Sequence, residues 1–271
     1  MLLAIDIGNS SVSLGVFRGE ALLLRRKLST AERSADEYAA AIHTQLALGG
    51  LDSREIDGCI LSSVVPGLTS LVEAAVGRLT EVPVLQVGPG IRTGFRIRID
   101  DPSQLGGDLV ADTLAALTEY GPPLILIDAG TVTTIAAVDG DRTYLGGCIL
   151  PGVRQSASLF KETTALLPAV SLTGGEEECL GRNSADAIRR GLLLGSAMMV
   201  DGFIDRYLAL PKMAGAKVVA TGGSVELVTA NCRRAMVRDP DLTLKGLRYL
   251  YETTPRPGGC PLPILKNPPP P

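Results

Sequence analysis

The feature that most constrains this chain is a turn that occurs twice. Asp6-Ile7-Gly8-Asn9-Ser10 returns in altered form as Asp128-Ala129-Gly130-Thr131. Each copy follows an apolar run, Leu2 to Ile5 and then Leu124 to Ile127, and each leads into residues that read as strand; the second continues Val132-Thr133-Thr134-Ile135. The pattern is a strand ending in a carboxylate, a glycine turn, a small amide or hydroxyl residue, and a return strand. Glycine lets a backbone approach a polyanion closely and present its N–H groups. Asn, Ser or Thr adds side-chain donors, and the Asp can hold a cation, or a water on a cation, beside phosphates. Asp-Gly pairs are also ordinary hairpin turns, so one copy alone means little. Two copies in matching strand contexts, one per half, predict a duplicated architecture whose turns serve one nucleotide.

Composition limits the alternatives. A chain of 271 residues that is 45% hydrophobic can build two modest cores. A net charge of −3 supplies no basic field for nucleic acid, and the absence of Trp argues against base-stacking platforms. The cluster Arg25-Arg26-Lys27 ends an apolar strand and reads as a solvated sheet edge. Cys59, Cys148, Cys179, Cys232 and Cys260 are widely spaced and form no C-x-x-C pair, so neither a zinc site nor a disulfide framework is expected. Reduced thiols, the lack of a basic-plus-apolar leader and the shortness of the run Leu192 to Val200 predict a cytoplasmic protein with no membrane partner.

The element pattern supports the duplication. Val12, Leu14 and Val16 alternate with Ser11, Ser13 and Gly15, as a half-buried strand should. Ala21 to Leu28 returns. Ser34 and Glu37 form a capping box that opens a helix ending at Gly49-Gly50 and carrying the lone His43, which reads as surface or packing. Cys59 to Val65 is a buried strand, Pro66 starts a helix, and Val82 to Val87 is another strand. A glycine-punctuated stretch from Gly88 to Gly107 reads as a functional loop. Helix resumes from Asp108 to Tyr120. After the second turn come Tyr144-Leu145-Gly146-Gly147, a helix from Pro151-Gly152, a long helix from Ser184 to Leu208, a strand from Lys217 to Ala220, a helix after Thr221-Gly222-Gly223, and a closing helix from Leu242 to Tyr251. The boundaries expected are 1–120, 121–252 and a Pro-rich tail over 253–271.

The paired turns are similar to those of the sugar kinase, heat-shock ATPase and actin superfamily. More narrowly, the chain resembles the type III pantothenate kinases. The matching segments are Asp6 to Ser10, Ser62-Ser63-Val64-Val65-Pro66, Gly88 to Gly94, Gly106-Gly107-Asp108, Asp128 to Thr134, Leu145-Gly146-Gly147, Gly181-Arg182-Asn183-Ser184, Thr221-Gly222-Gly223 and Asp239 through Glu252. They occur in family order and cover almost all but the tail. The resemblance implies an α/β chain with a two-domain duplicated actin-like ATPase fold, a mixed sheet with flanking helices in each half. It also implies ATP-dependent phosphorylation of the primary hydroxyl of pantothenate, the first step of coenzyme A synthesis, by a homodimer.

Residue roles follow from the same resemblance. Asp6, Ile7, Gly8, Asn9, Ser10, Ser11, Val12 and Ser13 match the main ATP phosphate loop, and Thr131 matches a second ATP contact. Gly222 and Gly223 match the adenosine-side turn. Asp128 matches the ligand of a monovalent cation, K+ or NH4+, with Mg2+ accompanying the nucleotide. Asp108 matches the general base; a carboxylate suits the task, because the acceptor hydroxyl must lose its proton as it attacks the γ-phosphorus. Its place before a helix equally suits an N-cap. The acceptor side is Ile99, Gly106, Gly107, Asp108, Leu109 and Ser184. Two of these depart from the family pattern: Ile99 stands where Tyr is usual and Leu109 where Arg is usual. Removing a carboxylate's guanidinium partner costs roughly 1.5–3 kcal/mol, and Leu cannot replace it. Ser184 stands for the usual Thr and keeps the hydroxyl. Three readings stay open: a pantothenate kinase that binds the acceptor carboxylate through Arg92, Arg96 or Arg98, a nucleotide-binding homologue without kinase activity, and a kinase for a carboxylate-free relative such as pantetheine.

Overall fold

The computed structural model describes residues 1–163, 166–173 and 178–255. The tail beyond residue 255, Cys260 included, lies outside the described residues. In chain order the elements are β1 (Leu2–Ile7), β2 (Ser11–Arg18), β3 (Ala21–Ser29), α1 (Ala35–Leu48), β4 (Gly58–Ser63), α2 (Pro66–Gly77), β5 (Val84–Gln86), β6 (Arg96–Ile97) and α3 (Gly107–Glu119). There follow β7 (Leu124–Ala129), β8 (Val132–Val138), β9 (Thr143–Pro151), α4 (Val153–Thr163), α5 (Ser184–Leu208), β10 (Lys217–Thr221), α6 (Val225–Thr229), β11 (Val237–Arg238) and α7 (Leu242–Thr253). The chain divides into two units. Unit 1 holds Met1–Gly94, Ser103–Ala115 and residues 243–255, and unit 2 holds Phe95–Pro102 and Ala116–Leu242.

In unit 1 the strand order is β3-β2-β1-β4-β5. β1 runs antiparallel to β2 and parallel to β4. Strand alternation sends Leu3, Ile5 and Ile7 to one face, where they pack with Tyr38, Ile42 and Leu46 of α1 and Val72 and Val76 of α2. α1 begins where the sequence predicts. The Glu37 carboxylate accepts from the Ser34 N–H at 2.7 Å, and Ser34 Oγ accepts from the Glu37 N–H at 3.3 Å. The other sheet face receives α7. Leu244 packs on Gly15, Tyr251 on Gly58, and Gly246 on the Ala111 backbone of α3, while the Arg248 guanidinium lies 5.8 Å from the Phe17 ring centroid. Glycine at those places lets the layers come together where any side chain would intrude.

Unit 2 has the order β11-β10-β7-β8-β9-β6. Taken from β9, the series β9-β8-β7-β10-β11 repeats β3-β2-β1-β4-β5 strand for strand, with the same antiparallel and parallel pairings. The duplication expected from the two turns is thus present in the topology. Ile125 and Ile127 of β7 form the core with Val153 of α4 and Leu193, Val200 and Ile204 of α5.

The Gly88–Gly107 stretch is not wholly irregular. Its β6 pairs in parallel with β9, through Arg96 N–H to the Arg142 carbonyl at 3.0 Å and Arg98 N–H to the Tyr144 carbonyl at 2.9 Å. The backbone edge of β9 supplies those partners. Lone His43 is exposed on α1. Among the described residues, no helix is long and apolar enough to cross a membrane.

Candidate active site

The first turn lies between β1 and β2. Asp6 is flanked across the sheet by Ser13 of β2 and Ser62 of β4, so three polar side chains share the face that α3 approaches. Gly8 does not take a positive φ. Its reason is space, because a Cβ there would lie 3.3 Å from the Ser11 carbonyl, which accepts the Gly8 N–H at 3.0 Å. The turn is also held from β3's end. Thr30 donates its N–H to the Ser10 carbonyl at 3.2 Å and its Oγ–H to the Gly8 carbonyl at 2.7 Å.

Asp108 is the second residue of α3, inside the first turn rather than at the cap. Its Oδ1 accepts the Leu109 N–H at 2.8 Å and folds back over the Gly106 Cα. Burial pushes its carboxyl above the ordinary value, and the Leu109 and Asp108 backbone N–H groups only partly offset that. Gly107 sits in a tight place: a Cβ there would lie 2.9 Å from Ser62 Oγ and 3.0 Å from Val87 Cγ1. Ser62 Oγ is fully buried and has no hydrogen-bond partner. Unit 1 therefore brings Asp6, Ser62 and the Gly106-Gly107-Asp108-Leu109 segment together on one sheet face.

Unit 2 repeats the arrangement with different hydroxyls. Asp128 of β7 is flanked by Thr134 of β8 and Thr221 of β10. The turn is tighter than the first, since the Gly130 N–H reaches the Val132 carbonyl at 2.9 Å. A second glycine turn clasps it. Gly222 has φ +101°, and a Cβ on it would lie 2.5 Å from both the Ala129 carbonyl carbon and Asp128 Oδ1, while Ser224 donates its N–H to the Ala129 carbonyl at 2.8 Å. Gly223 follows, exposed. The Thr131 carbonyl rests on Gly152, just ahead of α4. Asp128, Thr131, Gly222 and Gly223 are thus gathered at one end of this sheet.

The remaining acceptor-side residues of unit 2 lie elsewhere. Ile99 packs on Gly146 of β9, 3.7 Å from where a Cβ would be. Alternation along this edge leaves Ile97 and Ile99 half-buried and turns Arg96 and Arg98 out to solvent, on the face opposite Ile99. Ser184 opens α5 at the surface, where Asn183 caps the helix by accepting the Asp186 N–H at 2.9 Å. Among the described residues there is no group of three or more His, Cys, Asp or Glu side chains able to cage a metal. A cation at Asp128 would complete its shell from other ligands. Thr134 and Thr221 fell inside matched segments without a role of their own, whereas Thr30, beside the end of β3, lay outside every motif.

A family model described as type III pantothenate kinase matches residues 2–206. The chain belongs to the type III pantothenate kinase family. The type III pantothenate kinase of Rubrobacter xylanophilus is 41% identical over 256 residues, covering 93% of this chain and 97% of that protein. That of a Roseiflexus species is 39% identical over 253 residues, covering 93% and 98%. A solved structure assigned to a 2-dehydro-3-deoxygalactonokinase of Sinorhizobium meliloti aligns with a TM-score of 0.58 at 13% identity, over 98% of this chain and 99% of that one. This likeness speaks to the fold, which is the duplicated actin-like one. As a type III pantothenate kinase family member the chain is a small-molecule kinase with ATP as phosphoryl donor.

Proposed function

We propose that this chain transfers the γ-phosphoryl group of ATP to the primary hydroxyl of pantothenate, giving 4′-phosphopantothenate for coenzyme A synthesis. The observation that carries this reading is the match to pantothenate kinases along nearly the whole chain. It leaves the non-catalytic homologue and the pantetheine-type kinase without support. Asp6 to Ser13 and Thr131 receive the phosphates, and Gly222 and Gly223 take the adenosine side. Asp108 accepts the hydroxyl proton as the oxygen attacks phosphorus and ADP leaves. Its raised pKa supports the role, since a base held above the ordinary carboxylate value takes a proton more readily. Gly106, Gly107, Leu109, Ile99 and Ser184 shape the acceptor side. Leu109 brings no charge, and Arg96 and Arg98 face away from Ile99, so we assign the acceptor carboxylate to none of the three.

Asp128 holds K+ or NH4+, which neutralises phosphate charge, and Mg2+ accompanies the nucleotide. The enzyme acts in the cytoplasm, in keeping with its free thiols at Cys59, Cys148, Cys179 and Cys232. It works as a homodimer. Met198 and Met199 of α5 are 64% and 42% exposed, apolar positions suited to contact with a second copy. A coupled assay of ADP release with pantothenate or pantetheine, with and without K+, tests the reading. Turnover on pantothenate that depends on K+ is expected. Turnover on pantetheine alone would replace the acceptor, and equal rates without K+ or NH4+ would remove the cation from Asp128.

A further inference from the structure

We infer that Thr30 is a positioning residue for the first phosphate turn, acting on nucleotide affinity without touching the nucleotide. Thr30 directly follows β3, 22 positions from Gly8, yet it holds two successive parts of the turn. Its Oγ–H is given to the Gly8 carbonyl at 2.7 Å, and its N–H to the Ser10 carbonyl at 3.2 Å. Both carbonyl oxygens flanking Asn9 are thereby drawn to one side. That matters because a carbonyl oxygen carries partial negative charge, and turned toward a phosphate it would repel what the turn must receive. Tying the Gly8 and Ser10 carbonyls to Thr30 fixes their peptide planes, and so fixes where the Asn9 and Ser11 N–H groups that share those planes point.

Thr30 is itself braced. Tyr38 Oη donates to the Ala31 carbonyl at 2.8 Å, and the capping box of Ser34 and Glu37 pins the next residues to the start of α1. All of these residues belong to unit 1. Both turns also receive a backbone N–H from the segment after the neighbouring parallel strand, Val64 on the Ile7 carbonyl at 3.0 Å and Ser224 on the Ala129 carbonyl at 2.8 Å. The Thr30 hydroxyl acts on the longer first turn in addition to that shared backbone bond, one carbonyl further along.

The inference rests on the nucleotide role proposed for the first turn, and the test separates the two. Binding of a non-hydrolysable β,γ-imido ATP analogue is measured by calorimetry for the parent, Thr30→Val, Thr30→Ala and Thr30→Ser. Thr30→Val keeps the shape and the N–H but loses the hydroxyl donor, and should bind about ten-fold more weakly, as one lost hydrogen bond predicts. Thr30→Ala should do the same, while Thr30→Ser restores the parental affinity. In steady state the KM for ATP should rise with the KM for pantothenate unchanged. Parental affinity in Thr30→Val, or in Thr30→Ala if the Val variant does not fold, overturns the inference. So does an equal loss in Thr30→Ser, which would point to methyl packing. A parent that binds the analogue but phosphorylates no pantothenate sinks the acceptor reading alone. A parent that does not bind it sinks both.

Discussion

As the proposed general base, Asp108 is under two opposed demands. It must be ionised to take a proton, and its surroundings disfavour the ion. Asp108→Asn should therefore lower kcat by about 10²–10⁴-fold while the ATP analogue binds within about two-fold of parent, because a positioned base acts mainly in the transition state. Parental activity should fall in acid through a pKa above the ordinary Asp value. The stability consequence has a definite sign. A raised folded-state pKa means the folded form binds more protons than the unfolded form between the two values, so stability declines as pH rises through that window. Asp108→Asn should melt higher than the parent at neutral pH, and the gap should close in acid. A second prediction concerns Leu109→Arg, which should lower the KM for pantothenate about ten- to a hundred-fold, the worth of one charge-assisted contact; an unchanged KM would show that the carboxylate is held elsewhere. At this scale the two Asp turns, Asp108 and the altered residues Ile99 and Leu109 were all legible as motif. Ser62 and Thr221 fell inside matched segments but were given no role, and Thr30 was not legible at all, because a lone hydroxyl beside a strand end has no sequence signature until the neighbouring strand is known.

Among the elements, glycines decide how closely layers meet. Gly222→Ala would force a Cβ against Ala129 and Asp128 Oδ1 at a φ of +101°. It should weaken ATP binding and lower the melting temperature together, since one clash strains both the fold and the second turn. Gly246→Ala would drive a methyl into the Ala111 carbonyl, where α7 crosses α3. A loss of about 1–3 kcal/mol in urea unfolding is expected, although alanine is the better helix former by about 1 kcal/mol. A helix interior glycine such as Gly246 is a visible hint of a close crossing. Helices and long strands were readable from their periodicity, down to the Ser34–Glu37 cap. Two-residue strands such as β6 and β11 were not, because two residues hold no period and pair only where a neighbouring strand offers an open edge.

For the whole molecule, the proposed homodimer predicts a mass in light scattering twice that of the chain at micromolar concentration. Met198→Glu should shift it toward monomer by placing charge on the apolar surface of α5; a parent that is monomeric throughout would refute the dimer. The duplication could be inferred from two short turns because both halves place the carboxylate at the same strand position, and the topology follows it. The partition of the chain was harder to foresee. Nothing in the amphipathic pattern of α7 says which sheet it covers, since periodicity names a buried face and not its partner. That partition has a consequence during synthesis. α7 supplies Leu244, Gly246, Arg248 and Tyr251 to the face of unit 1 built from Gly15, Phe17, Gly58 and Ala111. At ordinary elongation rates the ribosome needs on the order of ten seconds to make residues 116–242 before that helix exists. The unit that begins the chain is thus the last to be finished, and its uncovered face is where a nascent-chain chaperone has most to protect.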